Sequence, residues 1–64
     1  MSYSIRCRAL ALVDEVARVD ITVYVEVAGE DAETAQALCE RRERWKYERL
    51  GWQLLKLDVT EFTD

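Results

Sequence analysis

The sequence predicts one α+β domain in which two strands, a helix and a third strand follow one another. Two stretches before residue 29 and one after residue 51 alternate apolar with polar residues, the period of a strand with one buried face. Between them lies the single stretch rich in helix-forming residues. One helix covers one face of a sheet, so we expect the other face to meet solvent or a partner.

The first two strands are predicted from their alternation. The first runs from Tyr3 to Val13 with its odd-numbered residues inward, and the second runs from Arg18 to Ala28 with its valines and Ile21 inward. The segment between them contains neither Gly nor Asn, which disfavours a two-residue mirror-image turn. We therefore expect a hairpin loop of four or five residues.

The helix is predicted to begin after Asp31 and to end at Gly51. The carboxylate of Asp31 can accept the free amide hydrogens of a first turn, and Gly51 suits the left-handed residue that closes a helix, with Trp52 folding back on Tyr47. Residues at three- and four-residue steps predict a packing stripe that places Trp45 in the core. Its members are Ala32, Ala35, Leu38, Cys39, Arg42 and Trp45.

The third strand is predicted from Trp52 to Phe62, with Leu55, Leu57 and Val59 facing the helix. The favoured arrangement is a mainly antiparallel three-stranded sheet of order 2-1-3, because antiparallel sheets tolerate one wet face. The alternative places the third strand beside the second in a right-handed parallel crossover.

The sheet face away from the helix is predicted to carry more apolar area than a solvated face needs. Such patches mark interaction sites, and aromatic anchors are typical of their centres. We expect a partner interface or the face-to-face contact of a homodimer here. The predicted interface residues are Leu10, Leu12, Tyr24, Trp52, Leu54 and Phe62.

The charge pattern favours a protein partner over direct contact with nucleic acid or membrane. The net charge is −4, which opposes nonspecific binding to polyanions. An acidic strip of Glu26, Glu30, Asp31 and Glu33 is predicted to bind a basic groove of a protein that holds nucleic acid. The alternative is a nucleic-acid patch formed by Arg41, Arg42, Arg44 and Lys46.

No catalytic, cofactor-binding or metal-ligating pattern is found in the sequence. The chain has no His, which excludes Ser-His and Cys-His nucleophile pairs. Cys7 and Cys39 are expected to be buried free thiols, with a bridge between them left open. The start of the chain lacks the layout of a signal peptide and no apolar run reaches membrane-spanning length, so we expect a cytoplasmic protein.

The stretch from Tyr24 to Ala35, followed by Gly51-Trp52, resembles a strand-helix-strand pattern of small phage and mobile-element proteins. Compact acidic members of that group include anti-CRISPR proteins, which inhibit CRISPR–Cas complexes by occupying nucleic-acid or subunit-contact sites. The group has no common site motif, so the resemblance assigns no functional residue. It implies a non-enzymatic inhibitor or adaptor of a nucleoprotein complex.

Overall fold

The computed structural model describes residues 1–62 and contains four elements in the predicted order. They are β1 (Ser2–Leu12), β2 (Arg18–Ala28), α1 (Ala32–Leu50) and β3 (Gln53–Glu61). The sheet order is β2-β1-β3, and β1 is antiparallel to both neighbours. The predicted fold class and strand order are therefore confirmed, and the parallel crossover between β2 and β3 does not occur.

The β1–β2 hairpin closes through a five-residue loop, residues 13–17, in which the amide of Val13 donates to the carbonyl of Ala17 at 2.8 Å. Its register pairs Cys7 with Val23. Odd-numbered residues of both strands therefore point to the same side, as their alternation predicts. The outer edge of β2 remains unpaired among the described residues.

Both ends of α1 have the predicted caps. Asp31 accepts a hydrogen bond from the amide of Thr34 at 2.8 Å, and Gly51 has a φ of 75°, in the left-handed region. Behind Gly51, the amide of Trp52 donates to the carbonyl of Tyr47 at 3.1 Å, the closing bond of a Schellman-type end. Before the start of α1, a Cβ atom on Gly29 would lie 3.1 Å from the amide nitrogen of Ala35. The backbone at Gly29 therefore passes close to the first turn of the helix.

A β-bulge in β3 changes the faces predicted for its first residues. Leu10 pairs with Lys56 and Ala11 with Leu54, so Leu55 has no partner on β1. One extra residue reverses the alternation beyond it. Leu54 therefore shares the side of buried Ala11 and is half-buried, whereas Leu55, predicted to face the helix, is 41% exposed.

The core lies between β1 and the inner stripe of α1. Ile5, Cys7, Ala9 and Ala11 of β1 are all buried, and three of these four are small, so the helix can lie close to the sheet. The buried residues of α1 are Ala35, Cys39, Glu43 and Tyr47.

The predicted helix stripe is correct at its beginning and wrong at its end. Ala35, Leu38 and Cys39 contact the core, but Arg42 is exposed and Trp45 is 59% exposed. Four-residue steps carry the buried stripe on to Glu43 and Tyr47 instead. No helix within residues 1–62 is long and apolar enough to cross a membrane.

Candidate functional site

The side of the sheet that faces away from α1, here called the open face, is the first candidate site. No other element among the described residues covers it. Even-numbered residues of β1 and β2 point to this side, together with the residues of β3 that pair with them. Its principal members are Arg6, Arg8, Leu10, Leu12, Asp20, Thr22, Tyr24, Glu26, Lys56, Asp58, Thr60 and Phe62.

An aromatic pair stands at one end of the open face. The rings of Tyr24 and Phe62 meet edge to face with centroids 5.2 Å apart, a favoured geometry for two aromatic side chains. Phe62 is positioned by its amide, which donates to the carbonyl of Ser4 at 2.8 Å. Because β2 and β3 flank β1, the two rings reach towards each other above the central strand. Tyr24 remains 62% exposed.

The middle of the open face is polar and largely neutralised. Arg8 donates from Nε and Nη2 to the two carboxylate oxygens of Asp20, at 3.2 and 2.8 Å. This hydrogen-bonded pair lowers the pKa of Asp20 and raises that of Arg8. Lys56 lies 3.7 Å from Asp58. A shallow depression of about 710 Å³ lies here, lined by Arg6, Arg8, Asp20, Thr22, Tyr24, Asp58 and Thr60.

The predicted apolar interface is therefore only partly assembled on this face. Leu10 and Leu12 are half-buried at the end opposite the aromatic pair. Trp52 is not on the open face, because its ring packs 5.8 Å from the ring of buried Tyr47. Leu54 is turned to the helix side by the bulge. The open face has an aromatic end, a charged middle and an aliphatic end rather than one continuous apolar patch.

The predicted acidic strip lies where β2 leads into α1, and we call it the acidic corner: Glu26, Glu30, Asp31 and Glu33. All four residues are exposed. The ion pairs formed within residues 1–62 involve other carboxylates, those of Asp20, Glu40, Glu43 and Asp58. Two corner residues have local roles. Glu26 accepts from the hydroxyl of Ser4 at 2.6 Å, and capping of α1 lowers the pKa of Asp31.

The predicted basic patch on α1 is rearranged by pairing within the helix. Arg44 is bound to Glu40 and Lys46 to Glu43, at 3.1 and 2.8 Å, which compensates both charges. The guanidinium of Arg49 instead stacks over Trp45, with Cζ 4.7 Å from the ring centroid.

A different basic surface results on the flank of α1, and we call it the helix flank. A shallow depression of about 340 Å³ is lined by Leu38, Arg41, Arg42 and Trp45, and Arg49 extends it by one turn. Sequence reasoning missed Arg49 and Leu38 as members of this surface. The signal was available in their spacing, because residues 38, 42, 45 and 49 follow one helical stripe.

The described residues offer no arrangement for metal chemistry. Within residues 1–62 no group of three or more Cys, Asp or Glu side chains comes close enough to hold a metal ion. The carboxylates that do have partners form ion pairs, cap the helix or, at Glu26, accept from the hydroxyl of Ser4.

Comparison of this chain with models of protein families, with curated proteins and with solved structures finds no match. The resemblance to small phage and anti-CRISPR proteins therefore stays a prediction.

Proposed function

We propose that this chain is a non-enzymatic protein-interaction module that binds a basic protein surface through the aromatic end of its open face and the adjoining acidic corner. The partner we propose is a nucleic-acid-handling complex, which the module inhibits or adapts by occupying the groove that holds the nucleic-acid backbone. The observation that carries the proposal is the aromatic pair of exposed Tyr24 and half-buried Phe62 beside Glu26, on a sheet face that no other element within residues 1–62 covers.

The aromatic pair and the acidic corner form one continuous surface at Glu26. Tyr24 and Glu26 are two residues apart on β2 and point to the same side. A ring face and a carboxylate side by side match the two preferences of an arginine side chain, which stacks on aromatic rings and binds carboxylates through two parallel hydrogen bonds.

The charge distribution supports a basic partner. The carboxylates of Asp20, Glu40, Glu43 and Asp58 are each paired with Arg or Lys, whereas the four carboxylates of the acidic corner are close together and form no ion pair within residues 1–62. A net charge of −4 also accelerates association with a basic surface.

The test is a competition assay with matched charge variants. Purified CRISPR–Cas effector complexes are titrated with the protein, and their affinity for labelled target DNA is measured. The variant Glu26→Lys/Glu30→Lys neutralises the acidic corner, because the two new lysines balance the remaining carboxylates of Asp31 and Glu33. The variant Asp14→Lys/Glu15→Lys makes the same change in net charge in the β1–β2 loop, at the other end of β2.

We expect one complex to lose DNA affinity in the presence of the unmodified protein. The corner variant should be weaker by tenfold or more, since a charge pair at an interface contributes about 1.5 kcal/mol or more, and the loop variant should act like the unmodified protein. If both variants weaken inhibition equally, only net charge matters and the assigned surface is wrong. If no complex responds, the proposed class of target is wrong.

The helix flank supports a second candidate function, single-stranded nucleic-acid binding. The specific observation is the exposure of Trp45, which leaves an aromatic ring beside Arg41, Arg42 and Arg49. Bases stack on such rings while arginines contact phosphates. Fluorescence anisotropy with a labelled RNA oligonucleotide tests this, with Trp45→Ala as the variant and Arg44→Ala as the control, since Arg44 is already paired. Binding that is independent of Trp45 would exclude this surface.

A second copy of the chain is the other occupant proposed for the open face. The molecule measures 39 × 22 × 13 Å, so one broad face is of the same order as the ~800 Å² that each partner buries in a standard interface. Cations (Arg6, Arg8, Lys56) and carboxylates (Asp20, Glu26, Asp58) are balanced on it, so the face is complementary to itself. Light scattering of the protein and of Tyr24→Ala decides between a dimer and a monomer that keeps this face for another protein.

A further inference from the structure

The two cysteines of the chain face each other in the core. Cys7 lies in the middle of β1, between Val23 of β2 and Val59 of β3. Cys39 lies in the buried stripe of α1. Their side chains are 1% and 2% exposed, and the two Sγ atoms are 2.8 Å apart. Both are free thiols in the structure.

This arrangement differs from the ordinary burial of a small side chain. The chain contains only these two cysteines, they are 32 residues apart in sequence, and they meet where the helix contacts the central strand. An S–S bond is ~2.05 Å long, so a small approach of α1 towards β1 brings the sulfurs to bonding distance.

We propose that Cys7 and Cys39 form a reversible disulfide that fastens α1 to β1 when the protein meets a low-molecular-weight disulfide oxidant of the glutathione class. The Sγ of one cysteine, as the thiolate, attacks one sulfur of the oxidant and releases one reduced thiol, which leaves a mixed disulfide. The second cysteine then loses its proton and attacks the protein sulfur of that mixed disulfide, releasing the second reduced thiol. Two protein thiols are oxidised and one oxidant disulfide is reduced to two thiols.

The folded structure protects the pair from this reaction. Burial raises the pKa of Cys7 to about 12, and the hydrogen bond and charge interaction with Cys39 and the charge of Glu43 add to the effect. At neutral pH the reactive thiolate is therefore scarce, and the oxidant cannot reach sulfurs that are closed off on all sides. Oxidation then proceeds through openings in which α1 lifts from the sheet, and closing of the helix brings the second sulfur into place.

The expected consequence is a large change in stability. A disulfide that closes a loop of this length restricts the unfolded chain, which corresponds to a rise in Tm on the order of 15 °C for a domain of this size. A compartment rich in reduced glutathione maintains the dithiol, whereas an oxidising environment produces the more stable cross-linked form.

The experiment treats the reduced protein with glutathione disulfide and follows intact mass, free-thiol content and Tm. Expected is a monomer that has lost two hydrogen atoms and both free thiols, with the higher Tm, and that returns to its starting mass and Tm after dithiothreitol. The matched control is Cys39→Ser under the same treatment, which should yield a glutathione adduct on Cys7 without the rise in Tm.

The comparison of reduced and oxidised unmodified protein decides the proposal even if Cys39→Ser does not fold. Products that are only intermolecular dimers or stable glutathione adducts would overturn it, as would an intramolecular disulfide that lowers Tm. Raising the oxidation temperature to just below the Tm of the reduced form increases the fraction of molecules in which α1 has lifted from the sheet. The rate of oxidation should rise in proportion to that fraction. A rate that does not change with opening would contradict the proposed protection.

Discussion

The two faces of the sheet differ completely although they share the same central strand. On the covered face, Ile5 and Cys7 are buried under α1. On the open face, their immediate neighbours Arg6 and Arg8 are exposed. Because successive side chains of a strand point to opposite sides, residues one position apart serve different purposes. Packing that holds the domain together is on one side, and the surface available to a partner is on the other.

The faces also differ in how they accommodate charge. The open face carries ion pairs in water, such as Arg8–Asp20, whose side chains are 64% and 47% exposed. The helix that packs on the covered face carries a buried carboxylate, that of Glu43, which is 8% exposed and whose Oε2 lies 2.8 Å from Nζ of Lys46. Water screens the first kind of pair, whereas burial makes the second kind costly to break. The two ion pairs have the same N–O distance of 2.8 Å, but they differ in the free energy lost when the pair is broken.

The largest difference between the faces should come from Ile5→Ala and Arg6→Ala. The first variant removes three carbon atoms from a fully buried site, which destabilises a core by about 2–5 kcal/mol. The second changes an exposed residue and should alter stability by no more than about 0.5 kcal/mol. Urea denaturation followed by circular dichroism measures both. Similar midpoints for the two variants would show that the covered face does not dominate stability.

A smaller difference is expected between Lys46→Ala and Lys56→Ala. Loss of Lys46 leaves the buried carboxylate of Glu43 without its cation, which should cost about 1 kcal/mol after allowance for the partial exposure of Lys46. Loss of Lys56 breaks only a 3.7 Å contact in water and should be near neutral. The two midpoints from the same denaturation experiment test this order. A greater loss with Lys56→Ala would contradict the assignment.

The smallest effect is a pH dependence on the open face. Arg8 lowers the pKa of Asp20 in the folded protein. The Arg8–Asp20 pair therefore stabilises the fold above the ordinary aspartate pKa, and this stabilisation is lost as the pH falls through the lower pKa of folded Asp20. In Arg8→Met, the pKa of Asp20 should return towards ~3.9, as followed by NMR titration. Asp31 is the internal control, because its pKa is lowered by the amide of Thr34 and should stay low. An equal rise in the pKa of Asp31 would indicate that the charge of Arg8 acts on both carboxylates over a long range and not through its contact with Asp20.

Most of the fold could be predicted because its signals are local. Alternation identified β1 and β2, and the chemistry of Asp31 and Gly51 identified the helix ends. The bulge in β3 could not be predicted, because Leu54 and Leu55 are identical residues and either can face the helix. Which of the two faces the helix depends on the pairing of Leu54 with Ala11, a residue more than half the chain away in sequence.

The candidate site was less predictable because it depends on which side of α1 packs. The predicted stripe passed through Arg42 to the large apolar residue Trp45, whereas the buried stripe passes through Glu43 to Tyr47. The ion-pair partner of this buried carboxylate is Lys46, whose Nζ lies 2.8 Å from Oε2 of Glu43. The fold-back of Trp52 on Tyr47 was predicted correctly from the helix end. That contact also explains why Trp52 is missing from the open face. The helix-end pattern therefore predicted the position of Trp52 correctly, whereas the strand alternation placed it on the wrong side.

The position of β1 at the centre of the sheet sets the timing of folding. Leu12 pairs with Arg18 a few residues later, whereas Ile5 pairs with Glu61 near the far end of the chain. The hairpin can therefore assemble within microseconds, but the β1–β3 ladder requires closure of a much longer loop, residues 13–52, between the paired residues Leu12 and Gln53. We therefore expect pairing of β3 with β1 to be the slow step of folding, and until it occurs one edge of β1 is available to a neighbouring molecule.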